Sequence, residues 1–345
     1  MSKKQFSRRD FVQKTALTAG MAPIASFSFP GTPLPQPGHG DSPPRQVWIA
    51  GISQAGIRTK TPEEMVARVF GILADVKIHK PDFVCLPEVF PFEYVDKETT
   101  LKEKIEISEK VLEQFSEFSR QNECYTICPV YTSSGGRVYN SAVVFDRSGK
   151  SIGQYNKIHE TTGMIKYGIS CGALFQPAIK TEFGPVGIQI CYDINWDDGW
   201  KMLNEQGARI IFWCSAFDGG MQLNMKALRY KCIVASSTNK NNAKVCDISG
   251  ETLATTGIWN PNFYCGQVNL EKIFLPTYDY LKEVREIEQK YGRKVRIKVF
   301  HEEEWTIIES LSPDIFIADI AKEFNLKSHD EGLREAEIIQ DRSRG

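Results

Sequence analysis

The 345-residue chain has room for one large α/β domain or two small ones. Hydrophobic residues make up 41% and charged residues 25%, the balance of a soluble globular protein. With 42 basic and 43 acidic residues the net charge is -1, and no basic stripe interleaved with aromatics is present, which sets nucleic acid and anionic membranes aside in favour of a small neutral or weakly charged substrate.

The first residues read as a targeting segment. Lys3 and Lys4 open a basic region, followed by Ser7-Arg8-Arg9-Asp10-Phe11-Val12-Gln13-Lys14, which resembles a twin-arginine export signal. Thr15 to Phe29 is uncharged and mildly apolar, well short of the roughly 20 strongly apolar residues that span a bilayer. Residues 1–30 are therefore expected to be a signal peptide, and the protein periplasmic or secreted. Residues 31–45, rich in Pro and Gly, read as a linker.

Strands then alternate with helices. Val47–Ser53 is a short apolar strand, and Pro62 opens a helix whose apolar residues (Met65, Val66, Val69, Leu73, Val76) follow the helical period. Asp82–Leu86, apolar from Phe83 onward, is a strand that stops at Pro87. An amphipathic helix covers about Leu101–Arg120. Strands follow at Tyr125–Tyr131, Ser141–Phe145 and Ser151–Tyr155, the last two joined by the turn Asp146-Arg147-Ser148-Gly149. A long loop leads from Asn156 to Pro177. Strands at Gly184–Ile190 and Arg209–Cys214 frame a helix beginning near Asp197. A helix over Met221–Tyr230 precedes strands near Ile233–Ser237, Ala243–Asp247 and Phe263–Val268. The pattern predicts a layered α/β sandwich in one domain, with residues 276–345 as a charged, helical extension.

Nine cysteines leave at least one free thiol unless pairing is intermolecular. Cys85, Cys128, Cys191, Cys214 and Cys232 lie in or beside apolar strand-like runs, where a cysteine behaves as a small hydrophobe. Cys124 and Cys128 lack the turn of a metal knuckle, and His39, His79, His159, His301 and His329 are scattered. No metal-site spacing results.

Three segments place a reactive residue where a strand ends: Phe83-Val84-Cys85-Leu86-Pro87-Glu88, Tyr155-Asn156-Lys157-Ile158-His159 and Gly187-Ile188-Gln189-Ile190-Cys191-Tyr192-Asp193. In α/β folds ligands collect at the carboxyl ends of strands. Singly, Glu88 reads as a solvated acid, Lys157 as a surface cation and Cys191 as one more buried thiol. Together and in this order they resemble the Glu–Lys–Cys segments of the nitrilase superfamily of carbon–nitrogen hydrolases. The resemblance runs from about Val47 to about Val268 and takes in Ser215-Ala216-Phe217 and Ser249-Gly250-Glu251-Thr252-Leu253.

That resemblance implies a four-layer α-β-β-α sandwich over residues 46–275, no cofactor, and a homodimer or higher homo-oligomer. It implies Cys191 as the nucleophile, Glu88 as the proton shuttle, and Lys157 with the Tyr192 backbone N–H as oxyanion donors. Beside a cation, the thiol pKa is expected to fall. Cys-Tyr-Asp resembles the amidase branches, whereas true nitrilases tend to carry Cys-Trp-Glu. The expected activity is hydrolysis of a small carboxamide or carbamoyl compound through a thioester.

The alternatives are a nitrile hydrolase, an acyl transferase to an amine, or a catalytically idle binding member. The superfamily's membrane-embedded acyltransferases carry transmembrane helices that this chain lacks. Tyr192, Asn195, Trp196, Phe217 and Phe92 are candidate pocket residues, and Asp193 a loop-fixing hydrogen-bond acceptor. One departure stands out. Met164 occupies the position of the family's second glutamate, and Glu160 is the nearest carboxylate. Either Glu160 enters from a shifted register or the site lacks that acid.

Overall fold

The computed structural model describes residues 45–344. The expected signal peptide and residues 31–44 of the linker lie outside the described residues. Two six-stranded sheets are built from β1 (Gln46–Ile52), β2 (Phe83–Cys85), β3 (Tyr125–Ser134), β4 (Arg137–Phe145), β5 (Ser151–Asn156), β6 (Ile179–Thr181), β7 (Gly184–Ile190), β8 (Ile210–Ser215), β9 (Ile233–Thr238), β10 (Lys244–Cys246), β11 (Thr252–Thr255) and β12 (Phe263–Asn269). Their orders are β12-β1-β2-β3-β4-β5 and β11-β10-β9-β8-β7-β6. At the centre of each sheet three strands run parallel, β1-β2-β3 in one and β7-β8-β9 in the other.

Helices cover both outer faces. Helix α1 (Pro62–Val76) starts because the Thr61 side chain accepts the Glu64 N–H and Pro62 sits where no amide donor is needed. Helix α2 (Leu101–Asn122) starts at a Thr100–Glu103 capping box. Their apolar stripes, including Val69, Leu73, Phe115 and Phe118, pack on the first sheet. The short α3 (Thr162–Tyr167) interrupts the long loop, while α4 (Asp198–Glu205) and α5 (Met221–Tyr230) bring Trp200, Leu203, Leu223 and Ala227 against the second sheet. Between the sheets Ile49, Phe83, Ile188, Ile190, Phe212 and Tyr264 form the central core. Burying each such side chain contributes about 1.5–3 kcal/mol. The result is the four-layer α-β-β-α sandwich.

Two differences from the sequence reading have clear causes. Strand β4 begins at Arg137 rather than Ser141, because Gly135 (φ +56°) and Gly136 (φ +76°) make a two-residue hairpin that pairs Ser134 with Arg137. The extension, residues 276–345, expected to be helical, contributes two strands to a third sheet whose first strand spans the end of the preceding segment. Strands β13 (Lys272–Pro276), β14 (Val295–Phe300) and β15 (Trp305–Ser310) pair in the order β13-β15-β14. They accompany helices α6 (Leu281–Tyr291), α7 (Ile317–Glu323) and α8 (His329–Arg344). Val295-Arg296-Ile297-Lys298-Val299-Phe300 alternates apolar and charged residues, a strand period hidden by the segment's overall charge. Leu275, Ile287, Val295, Ile308 and Ile320 give the extension its own small core. All nine cysteines are free thiols, and Cys171 is exposed. Among the described residues no helix is long and apolar enough to cross a membrane.

Candidate active site

Glu88 lies three residues past β2, Lys157 directly follows β5 and Cys191 directly follows β7. Two backbone distortions mark the place. Cys191 has φ +48°, and Val89, the residue after Glu88, has φ +36°. Left-handed backbone is costly for a non-glycine residue and more so for a β-branched one, and such strain clusters at functional sites. The Trp213 indole N–H donates to the Cys191 carbonyl at 3.1 Å and supports the turn from below.

The three side chains meet. Glu88 Oε1 accepts from Lys157 Nζ at 2.6 Å and from Asn140 Nδ2 at 2.8 Å, and Oε2 accepts from the Ala216 backbone N–H at 3.0 Å. Asn239 Nδ2 donates to the Glu88 carbonyl at 2.9 Å. The Cys191 thiol feels the same groups: Glu88, Lys157, the Ala216 N–H and the Ser215 hydroxyl. Glu88 is 5% exposed, Lys157 2% and Cys191 8%, so their mutual electrostatics act in a poorly screened environment.

Burial first, and the Glu88 charge second, push the Cys191 thiol up to about 12, against the opposing pull of Lys157 and the Ala216 N–H. The expectation of a lowered thiol pKa is therefore corrected: at neutral pH the resting sulfur keeps its proton. Burial also disfavours the Lys157 charge, but Glu88, with Glu160 adding, outweighs it and holds that pKa above the ordinary lysine value. The ammonium stays charged.

Glu160 joins this cluster, with Oε2 3.7 Å from Lys157 Nζ across an i,i+3 spacing. Neither carboxylate oxygen has a hydrogen-bond partner among the described residues. Burial, with Glu88 and Asp193 adding and Lys157 opposing, pushes its pKa up to about 7. Met164 turns away from this role. It packs with Val89, Phe92, Tyr131 and Ile169 in an apolar cluster. The tighter register thus places an acid beside the lysine.

A raised carboxyl pKa stabilises the fold below the unfolded value, and that stability is lost as pH rises through about 7. Glu160→Gln is expected to be more stable than wild type above pH 7 by up to roughly 3 kcal/mol, and near-neutral in effect below about pH 4.5. Denaturant melts at the two pH values measure this. Ionisation of Glu160 adds a negative charge 3.7 Å from Lys157, so kcat/KM should change through about pH 7 in wild type and flatten in the variant. A limb unchanged by the substitution removes Glu160 from the chemistry.

Asp193 ties the lysine and cysteine segments together. Its Oδ1 accepts from the His159 backbone N–H at 2.8 Å and lies 3.0 Å from His159 Nδ1. Its Oδ2 accepts from the Tyr155 hydroxyl and the Ile190 N–H, both at 2.8 Å. The residue has no solvent exposure. The Asp193 hydrogen bond, opposed by burial, raises the His159 pKa, and Asp198 adds to it. That pair therefore stabilises the fold fully below the free histidine pKa and less as pH rises through the raised one. Asp193→Asn leaves at least one buried donor facing an amide NH₂. It should cost about 2 kcal/mol and weaken this pH dependence to the part that Asp198 sustains, as thermal melts between pH 5 and 9 would report.

The remaining candidates fall elsewhere. Trp196 stacks on His159 (centroids 4.2 Å apart) and Tyr192 meets Trp196 edge-on at 4.9 Å, forming a half-exposed ledge beside the Cys191 turn. Asn195 Nδ2 bonds the Tyr192 carbonyl. Phe217 packs edge-on against Trp213, under the cysteine, and Phe92 lies against Tyr131. Sequence reasoning missed Asn140, Asn239, the Ala216 N–H and Glu93. Glu93 sits within electrostatic reach of Glu88 and Lys157, its own pKa raised by burial. Glu93 follows Glu88 by five residues and was the one signal available; the asparagines carry no local motif.

The model of the carbon–nitrogen hydrolase family matches residues 49–273, which hold the three side chains and both sheets. The chain belongs to this family. Among curated relatives, deaminated glutathione amidase of Synechocystis sp. is 27% identical over 151 residues, 39% of this chain and 54% of that protein. The mouse deaminated glutathione amidase is 26% identical over 199 residues, 50% of this chain and 58% of that protein. The chain thus spans about half the length of the curated relatives it matches. The Helicobacter pylori G27 carbon–nitrogen hydrolase shares the fold with a TM-score of 0.58 and 18% identity, covering 72% of this chain and 93% of that one. Nit3 of Saccharomyces cerevisiae, a nitrilase-superfamily member, gives 0.57 and 17%, covering 66% and 91%. An amidase variant from Nesterenkonia sp. AN1, solved with the acetamide moiety of fluoroacetamide on its active-site cysteine, gives 0.58 and 16%, covering 72% and 98%.

Proposed function

We propose that this carbon–nitrogen hydrolase cleaves the amide-type bond of a small carboxamide or carbamoyl compound through a thioester on Cys191. One observation carries the reading: the Glu88 carboxylate is bonded to Lys157 and to the Ala216 N–H, and both act on the Cys191 thiol. Because the resting sulfur is protonated, its proton must move as it attacks. Glu88 takes that proton while the C–S bond forms and the carbonyl oxygen becomes an oxyanion. Lys157 Nζ and the Tyr192 N–H receive the charge. The latter belongs to the second residue of the 3-10 turn Cys191–Asn195, where early backbone donors have no acceptor within the turn. Collapse breaks the C–N bond, and Glu88 returns the proton to the departing amine. Water, deprotonated by Glu88, then attacks the thioester. The C–S bond breaks, the acid leaves and the thiol regains its proton.

The amidase-named relatives and the Cys-Tyr-Asp sequence support an amide over a nitrile. The Ser7–Lys14 motif supports export, and family resemblance supports self-association. A panel of matched amide, ureido and nitrile compounds scored for ammonia release tests the substrate class. Amide or ureido turnover is the expected result, with an acyl adduct on Cys191 by intact mass that Cys191→Ala lacks. Turnover of the nitrile alone overturns the amide reading, and an unmodified Cys191 with no turnover overturns the enzyme reading.

A further inference from the structure

A cluster of cations lies at the opposite end of the central strands of the second sheet. Arg209 directly precedes β8, Lys231 follows α5, and Lys272 opens β13; with Asn269, Ile233 and Leu270 they line a cavity of about 100 Å³. The cavity sits at the amino ends of β8 and β9, whereas Cys191 follows the carboxyl end of their parallel neighbour β7.

Direct pairing of these cations is incomplete. Lys272 is paired with Asp247 at 2.7 Å. Lys231 donates to the Leu228 carbonyl and lies 4.4 Å from the Phe274 ring centroid, with Asp330 acting on it only through space. The Arg209 guanidinium has no hydrogen bond or ion pair to any described residue. Glu271 acts on it through space, but Glu271 Oε1 already accepts the Ile317 N–H at 2.8 Å. Arg209 keeps access to solvent, yet the protein packed around it pushes its pKa below the ordinary value, and burial does the same to Lys231. Three cations thus line a space that holds roughly three waters; among the described carboxylates Asp247 alone is bonded to one of them, while Glu271 and Asp330 act only through space.

We propose that this cavity binds a small tetrahedral oxyanion of phosphate or sulfate type, held by the Arg209 fork with Lys231 and Lys272 around it. The guanidinium offers parallel N–H donors matched to two oxygens of such an ion, and the lysines supply charge without geometric demand. Lys272 belongs to the C-terminal sheet and Arg209 to the sandwich, so a bound ion would link the two layers.

The test is thermal unfolding of the whole protein with inorganic phosphate, sulfate, acetate or chloride at constant ionic strength, backed by calorimetric titration of phosphate. The expected result is a saturable rise in Tm with phosphate and sulfate but not chloride, because a ligand that binds only the folded state stabilises it by mass action. Arg209→Gln should abolish saturation, and Lys231→Gln should weaken phosphate binding tenfold or more on the order expected for loss of one charged contact. Both variants should keep wild-type amide turnover in the absence of phosphate. No saturation in wild type overturns the site, as does equal binding by either folded variant. Tighter acetate binding overturns the tetrahedral assignment. If Arg209→Gln does not fold, Arg209→Lys, which keeps charge but loses the fork, must still weaken binding; unchanged affinity there overturns the role of Arg209.

Discussion

Glu88→Gln is expected to lower kcat/KM by roughly 10²–10⁴-fold, the range for removal of a positioned acid–base. The carboxamide has nearly the same shape but cannot accept the thiol proton, and Cys191, held at about 12, has little thiolate of its own at neutral pH. The neighbours make the substitution harsher. Lys157 and Asn140 both donate to Oε1 and the Ala216 N–H donates to Oε2, so a glutamine in either orientation turns an NH₂ toward at least one donor. One such mismatch costs about 1–3 kcal/mol, which a folded domain survives. Steady-state rates with a parallel melt separate the two effects. A folded variant within a few-fold of wild type would remove Glu88 from the proton path.

Lys157→Ala should be comparably severe in rate and worse in stability. Losing one oxyanion donor typically costs about 3 kcal/mol of transition-state stabilisation, a hundredfold or more. Its ammonium is also the cation set between Glu88 at 2.6 Å and Glu160 at 3.7 Å, with both acids buried. Truncating one partner of a buried pair destabilises by roughly 3–5 kcal/mol because the other charge is left uncompensated. Protonation relieves this. Without the lysine the Glu160 carboxyl loses the group that opposes its raised pKa, so stability is retained at low pH and lost as pH increases. Urea melts at pH 5 and pH 8 should show the larger deficit at pH 8. Lys157→Met, which restores volume but not charge, should recover packing without recovering turnover. Near-full activity in Lys157→Ala would end its assignment as a donor.

Much of this site was legible locally because its residues stand where strands stop. Leu86-Pro87 ends β2 just before Glu88, Ile190 ends β7 just before Cys191, and both strands are apolar enough to be seen as buried. The helix starts at Thr61-Pro62 and Thr100–Glu103 were equally readable, since caps are formed by residues a few positions apart. The alternating strand β14 was hidden by the charge of its neighbours.

Sequence by itself determined the alternation of strands and helices and the position of each candidate group, Glu88, Lys157 and Cys191, after its strand, for these follow from short-range pattern. Tertiary structure alone decided that Asn140 and the Ala216 N–H hold Glu88, that Glu160 rather than residue 164 stands beside Lys157, and that the thiol is neutral at rest. Hydrogen bonds between residues 52 and 128 positions apart leave no periodic trace in the chain. A pKa depends on desolvation and on charges brought close by folding, and neither exists until the two sheets close over the site.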